Sequence, residues 1–225
     1  TELMIFRKTR VRRETEVPIS MLSPFKFLER VAKSPDTYKN DYFYKVNIYT
    51  SSPRWEIRNV GIKLIGLFKD TGKIHYLVEA LKSGKENGFV MRNALMALRQ
   101  LNTWSTELKI LTLELVQHGY YEVRAAAIDY LARCGKPADF EEFRDLLLHP
   151  RRFAKSTLQE KLSCLKLTAK MGNKDDLPLL ERYYLASNSL IREELLEVLY
   201  NFYRRKILTA DEIKELACLS FQSDL

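Results

Sequence analysis

Residues 55–81 read WEIRNVGIKLIGLFKDTGKIHYLVEAL. Ile57, Gly61, Leu64, Ile65 and Phe68 keep the three-and-four spacing of one α-helix face. Asp70-Thr71-Gly72 interrupts the pattern, and Ile74, Leu77, Val78 and Leu81 begin a second stripe. One hairpin of two such helices cannot bury both stripes by itself, so the stretch calls for neighbours of its own kind.

Those neighbours are present. Val90, Ala94, Ala97, Leu98 and Leu101 reproduce the first helix, and Val123, Ala127, Tyr130, Leu131 and Cys134 do so again. A weaker copy holds Cys164, Leu167, Thr168 and Met171; a fifth holds Ile191, Leu195, Val198, Leu199 and Phe202. With Gly61, Ala94, Ala127, Cys164 and Leu195 as register marks, the intervals are 33, 33, 37 and 31 residues. Second helices follow at matching offsets, carrying Leu77 and Leu81, then Phe140, Phe143 and Leu147, then Leu177, Leu180 and Tyr184. The second copy slips by one residue, to Leu108, Leu111 and Leu115.

A hydrophobe-Arg step opens three of the first helices, as Ile57-Arg58, Val123-Arg124 and Ile191-Arg192. Glu160-Lys161 departs from it, and Val90-Met91 moves the arginine to Arg92. This step, followed by a small residue, an apolar pair, a Gly/Asp turn and a Leu-rich helix, resembles the HEAT repeat. The nearest variety is the short form also seen in phycobilisome lyases. The resemblance covers about residues 54–204. It implies an all-α chain, a right-handed α-α superhelix of about five HEAT-like hairpins with atypical helical caps. The arginine column is expected to bond neighbouring turns, with Asp70 or Asp175 as pairing partners. Concave binding surfaces in such stacks are expected along the second helices.

The ends differ from the middle, as capping repeats should. Ser23-Pro24 starts a helix through about Lys33, and the aromatic run 36–50 is expected to be a helix over the open end of the first repeat. Thr209 and Glu212 form a capping box before an amphipathic closing helix. The reading divides the chain into a basic segment at 1–22, a helical cap at 23–53, repeats at 54–206 and a closing helix at 207–225.

Composition narrows the function classes. Aromatic residues at 11% argue against disorder. Three sparse cysteines, Cys134, Cys164 and Cys218, fit neither a disulfide framework nor a zinc site. They are expected to be small buried hydrophobes in a reducing, cytoplasmic setting. His75, His118 and His149 form no His-Glu pair, so the iron-dependent hydroxylase chemistry found on some HEAT-like proteins has no ligands here. Gly84-Lys85 lacks the rest of a phosphate loop. The acidic pairs, such as Glu141-Glu142 and Asp175-Asp176, fit helix starts and solvated faces. No catalytic residue, cofactor or metal ligand is assigned.

A net charge of +8 admits anionic partners. Arg151, Arg152 and Lys155 fall in the 37-residue interval, whose extra residues are expected to form a longer loop. Arg204 and Arg205 make a second cluster. Lys73, His75, Tyr76 and Lys109 lie on the second-helix face. At the N-terminus Leu3–Phe6 run into Arg7, Lys8, Arg10, Arg12 and Arg13, the pattern of a membrane helix meeting its cytoplasmic edge. The expected function is a non-catalytic scaffold that binds a protein partner, tethered to the inner face of a membrane by a segment upstream of Thr1. The basic run would meet an anionic membrane surface. The alternatives are nucleic-acid binding, including a DNA glycosylase of the HEAT-like type, and a pigment lyase-like role.

Ala127 stands where two helices should meet closely. Ala127→Leu is expected to overpack that contact and destabilise the fold by about 1–3 kcal/mol, measured by urea unfolding; unchanged stability would refute the register.

Overall fold

The computed structural model describes residues 22–186 and 188–222. The basic run Arg7, Lys8, Arg10, Arg12 and Arg13 lies outside them. All regular structure among the described residues is helical. In chain order the α-helices are α1 (Pro24–Lys33), α2 (Lys39–Thr50), α3 (Trp55–Phe68), α4 (Ile74–Lys82), α5 (Gly88–Leu101) and α6 (Thr106–Leu115). There follow α7 (Tyr121–Cys134), α8 (Pro137–Leu148), α9 (Pro150–Lys155), α10 (Leu158–Met171), α11 (Glu181–Tyr184), α12 (Ser189–Arg204) and α13 (Ala210–Gln222). Among the described residues no helix is long and apolar enough to cross a membrane.

Local chemistry sets the helix starts. Side chains of Ser23, Asn87, Ser105 and Asn188 accept from the first free N–H groups of α1, α5, α6 and α12. Thr157 and Glu160 close a reciprocal capping box at α10, as do Thr209 and Glu212 at α13. Helix ends follow a less familiar rule. Lys69 and Asn102 take left-handed conformations after α3 and α5, at φ 49° and 52°. Gly135 and Gly172, after α7 and α10, do not. Their need for glycine is space: a Cβ on Gly172 would stand 2.6 Å from the Thr168 carbonyl oxygen.

Helices α3, α5, α7, α10 and α12 pack side by side in that order, with α2 against the free flank of α3. The register marks lie in these contacts; Ala94 and Ala127 are fully buried, and Cys164 and Leu195 nearly so. Gly61 sits so close to α2 that a Cβ would meet the Thr50 backbone nitrogen at 2.8 Å. Gly66 faces Ala97 of α5 in the same manner, a Cβ there lying 3.1 Å from the Ala97 Cα. Second helices form another layer, each packed on the next first helix, as α4 on α5 and α6 on α7. Leu77, Leu108, Phe140, Phe143 and Leu180 fill the space between layers.

At Arg58 and Arg124 the arginine column does bond neighbouring turns, but the acidic partners there are not Asp70 and Asp175. Arg58 donates to both carboxylate oxygens of Glu86 at 2.8 Å and to the carbonyls of Ser52 and Pro53. Arg124 repeats the arrangement with Glu160, at 2.6 and 3.1 Å, and with the carbonyls of His118 and Gly119. Each guanidinium thus fixes the turn before its own helix and the start of the next first helix. Asp70 instead accepts from the buried Tyr42 hydroxyl at 2.7 Å and from the Gly72 N–H. Asp175 has its N–H held by the Asn173 side chain.

Three further expectations need correction. The extra residues of the 37-residue interval form the helix α9, not an open loop, because Pro150 starts a turn whose N–H group at Arg151 is capped by His149. The fourth second helix is a 3-10 segment, Lys174–Leu180, that becomes α-helical only in α11, since Pro178 lacks the N–H an α-helix requires. Cys164 is buried, its thiol pushed up to about 12 by desolvation, but Cys134 is half-buried and Cys218 is exposed.

Glu160 is 1% exposed. Burial raises its pKa, and the hydrogen bonds from Arg124 and Thr157 more than offset this, holding the carboxyl below its ordinary value. A carboxylate with a depressed folded pKa contributes stability above its unfolded pKa of about 4.3 and loses it as pH falls through the folded value. Arg124→Ala strands this carboxylate and is expected to cost about 3 kcal/mol near neutral pH. In urea unfolding the difference from the parent should narrow as pH drops toward about 3; a constant difference would remove Glu160 from the account. Lys69→Gly relieves the left-handed backbone and is expected to stabilise by about 1 kcal/mol, read in the same assay.

Candidate functional site

Side-by-side packing leaves one face of each first helix open. Residues two beyond the register mark line that face: Lys63, Met96, Asp129, Lys166 and Glu197. On α5, Arg92 and Arg99 stand seven residues apart, two turns along one side. On α7, Glu122 and Asp129 have the same spacing. Between the two pairs lies an open groove of about 410 Å³, floored by Leu95, Met96, Ala125 and Ala126 and bounded by Tyr121 and Gln159. The paired alanines give it depth, because larger residues at 125 and 126 would fill it.

One wall is therefore cationic and the other anionic. No ion pair joins Arg92 or Arg99 to Glu122 or Asp129 among the described residues. Met96 also borders an apolar hollow of about 280 Å³ lined by Leu28 and Ala32 of α1, Leu67 of α3 and Gln100 of α5. The open face thus presents apolar surface at its α1 end and opposed charges at its middle.

The second-helix side behaves differently. Lys82 pairs with Glu107, Lys109 with Asp139 and Glu142, Arg144 with Asp176, and Lys174 with Glu212. Each pair bridges one second helix or its equivalent to the next. Lys109, expected at a partner surface, is held at 3.3 Å by Asp139, and the hydrogen bond to Glu142 raises its pKa. Asp139 in turn accepts from the Trp104 indole at 2.9 Å. Lys73 lies over the Tyr76 ring at 6.0 Å, and His75 packs on that ring at 4.2 Å. These three form a local cluster, with the Tyr76 hydroxyl turned toward Asn47 at 3.5 Å.

The other basic candidates are scattered. Arg152 points inward, donating to the Val116 carbonyl at 2.7 Å and standing 3.8 Å from Glu160. Arg151 and Lys155 are exposed on α9. Arg205 donates to the Ala169 carbonyl at the end of α10, as Lys170 does to Ala132 and Arg133 at the end of α7. Cations there complement the helix dipole. Arg204 lies over the Tyr200 ring at 6.0 Å. The predicted residues therefore do not converge on one site. Of the groove residues, Arg92 entered the sequence reading only as a displaced member of the arginine step, and Arg99, Glu122 and Asp129 were not singled out there. Their signal was legible as like charges seven apart on successive first helices.

Among the described residues no group of three or more His, Cys, Asp and Glu side chains is placed to hold a metal. No protein-family model matches the chain, and no curated protein matches it either.

Proposed function

We propose that this chain is a non-catalytic scaffold that binds a protein partner in the groove between α5 and α7. The observation that carries this reading is the pair of opposed walls, Arg92 and Arg99 against Glu122 and Asp129, left open over an apolar floor. A partner segment with a carboxylate on one side and a cation on the other satisfies both walls. Floor residues exclude water and add apolar contact. Nucleic acid is a poorer fit, because Glu122 and Asp129 repel phosphate along half of the groove. For a lyase-like role no residue here can be named as a chromophore contact.

The architecture we propose is a right-handed superhelix of HEAT-type hairpins. Supporting it are the equal register of the first helices and the repeated arginine clamp. First helices approach one another more closely than second helices do, so the stack is tightest along the first-helix row. On this reading the concave face belongs to the first helices, in place of the second-helix face expected from sequence. The setting we propose is the cytoplasmic side of a membrane, with Arg7–Arg13 next to a tether.

Affinity capture from the source cells, followed by protein identification, tests this. Arg92→Glu/Arg99→Glu should lower recovery of the specific partner by about tenfold or more, with the unfolding midpoint unchanged. Equal recovery by parent and variant overturns the groove assignment. Salt-sensitive binding to duplex DNA that is lost in the same variant would favour the nucleic-acid alternative.

A further inference from the structure

A second surface lies at the end of the first helices, away from the groove floor. Trp55, Tyr121 and Leu158 each stand six residues before their register mark, and Phe89 and Leu190 five before theirs. All five are in the opening turn of their helix. Because these helices pack in register, the residues fall on one edge of the row. Phe89, Tyr121, Leu158 and Leu190 are 51%, 44%, 37% and 49% exposed. A single exposed apolar side chain is ordinary, but these four share one edge, with the half-buried Trp55 completing the row.

The edge is continuous over its first half. The Phe89 ring stacks on Trp55, with centroids 6.3 Å apart and planes 21° apart. Tyr120, 60% exposed, lies over Gly88, where a Cβ would come within 3.0 Å of the ring. Phe89, Tyr120, Asn87 and Glu122 surround only a shallow hollow of about 270 Å³.

The same edge receives the chain as it returns from the second helices. Those returning segments carry Lys85, Arg151 and Lys155, all exposed and none in an ion pair among the described residues. The nearby carboxylates are mostly occupied. Glu86 and Glu160 turn inward to Arg58 and Arg124, and Glu56 lies 3.8 Å from Arg54. Glu122, in the opening turn of α7, is in no ion pair among the described residues.

We propose that this edge docks on the surface of an anionic lipid bilayer. A row of outward-pointing rings and leucines with cations between them matches a membrane interface, where aromatic bodies enter the headgroup layer and lysine or arginine meets lipid phosphate. An extended peptide would need a succession of side-chain pockets or a free strand edge, and this ridge offers one shallow hollow. With neighbouring helices about 8–10 Å apart, the five positions span roughly 35 Å, a contact length suited to a broad surface.

The test uses the full chain and sedimentation with vesicles of phosphatidylcholine alone or mixed with phosphatidylserine. The protein should bind the mixed vesicles and be released by salt. Lys85→Ser/Arg151→Ser/Lys155→Ser and, separately, Phe89→Ser/Tyr120→Ser/Leu190→Ser should each weaken binding by roughly tenfold or more. Their unfolding midpoints identify any variant that fails to fold. Phe89→Trp supplies an independent reading: its fluorescence should shift to the blue and be quenched by brominated lipid. Absence of binding to mixed vesicles overturns the proposal. So does binding that both triple variants retain and only replacement of Arg7–Arg13 abolishes, or an unresponsive tryptophan at 89.

Discussion

The arginine that follows the first apolar residue of a helix is the piece on which the stacking depends. Arg58 and Arg124 do the same two things: each binds two carbonyls of the preceding turn, at the same offsets, and clasps a glutamate at or just before the start of the next first helix. Helix packing between apolar faces is not directional enough to set the sliding of one helix along another. A bidentate guanidinium–carboxylate pair is, because both partners have fixed planar geometry. Where the arginine is displaced, as at Met91-Arg92, that clamp is missing and the arginine is released to the open face.

A second set of ion pairs runs along the second helices, and together the two sets decide which charges are left for a partner. Lys82, Lys109, Arg144 and Lys174 all face an acid of the next element on that side. The buried members do not titrate alike. Burial pushes the Asp176 carboxyl above its ordinary range despite Arg144 at 2.6 Å, whereas Glu160 ends below it. Glu160 accepts four hydrogen bonds from Arg124 and Thr157, whereas Asp176 accepts from the Asn173 N–H, faces Arg144 and also feels the charge of Asp175. Acid therefore loosens the first-helix row while easing the burden at Asp176, so the two layers oppose each other as pH falls.

Charge and exposure then separate by location. The first-helix row keeps an open groove with unlike walls, and its end keeps exposed rings at equal register. Neither surface is crossed by the ladder of pairs on the other side. A protein partner on the face and a bilayer at the edge would engage the chain on adjoining surfaces, with Tyr121 and Glu122 where they meet.

Helix periodicity, the turn at Asp70-Thr71-Gly72 and the recurrence of Gly61, Ala94 and Ala127 were enough, by sequence alone, to place the helices and the small residues at their contacts. Those features are local or periodic, and burial of an apolar stripe leaves few ways to satisfy them. Charged partners were not readable in this way. Asp70 and Asp175 looked suited to the arginine column, yet Glu86 and Glu160 took that place, because the choice depends on how far one hairpin is offset from the next. The same offset turned Arg152 inward and left Arg151 outside, two adjacent residues of one basic cluster. A sequence determines which side chains carry charge; only the packed helices decide which of them still face water.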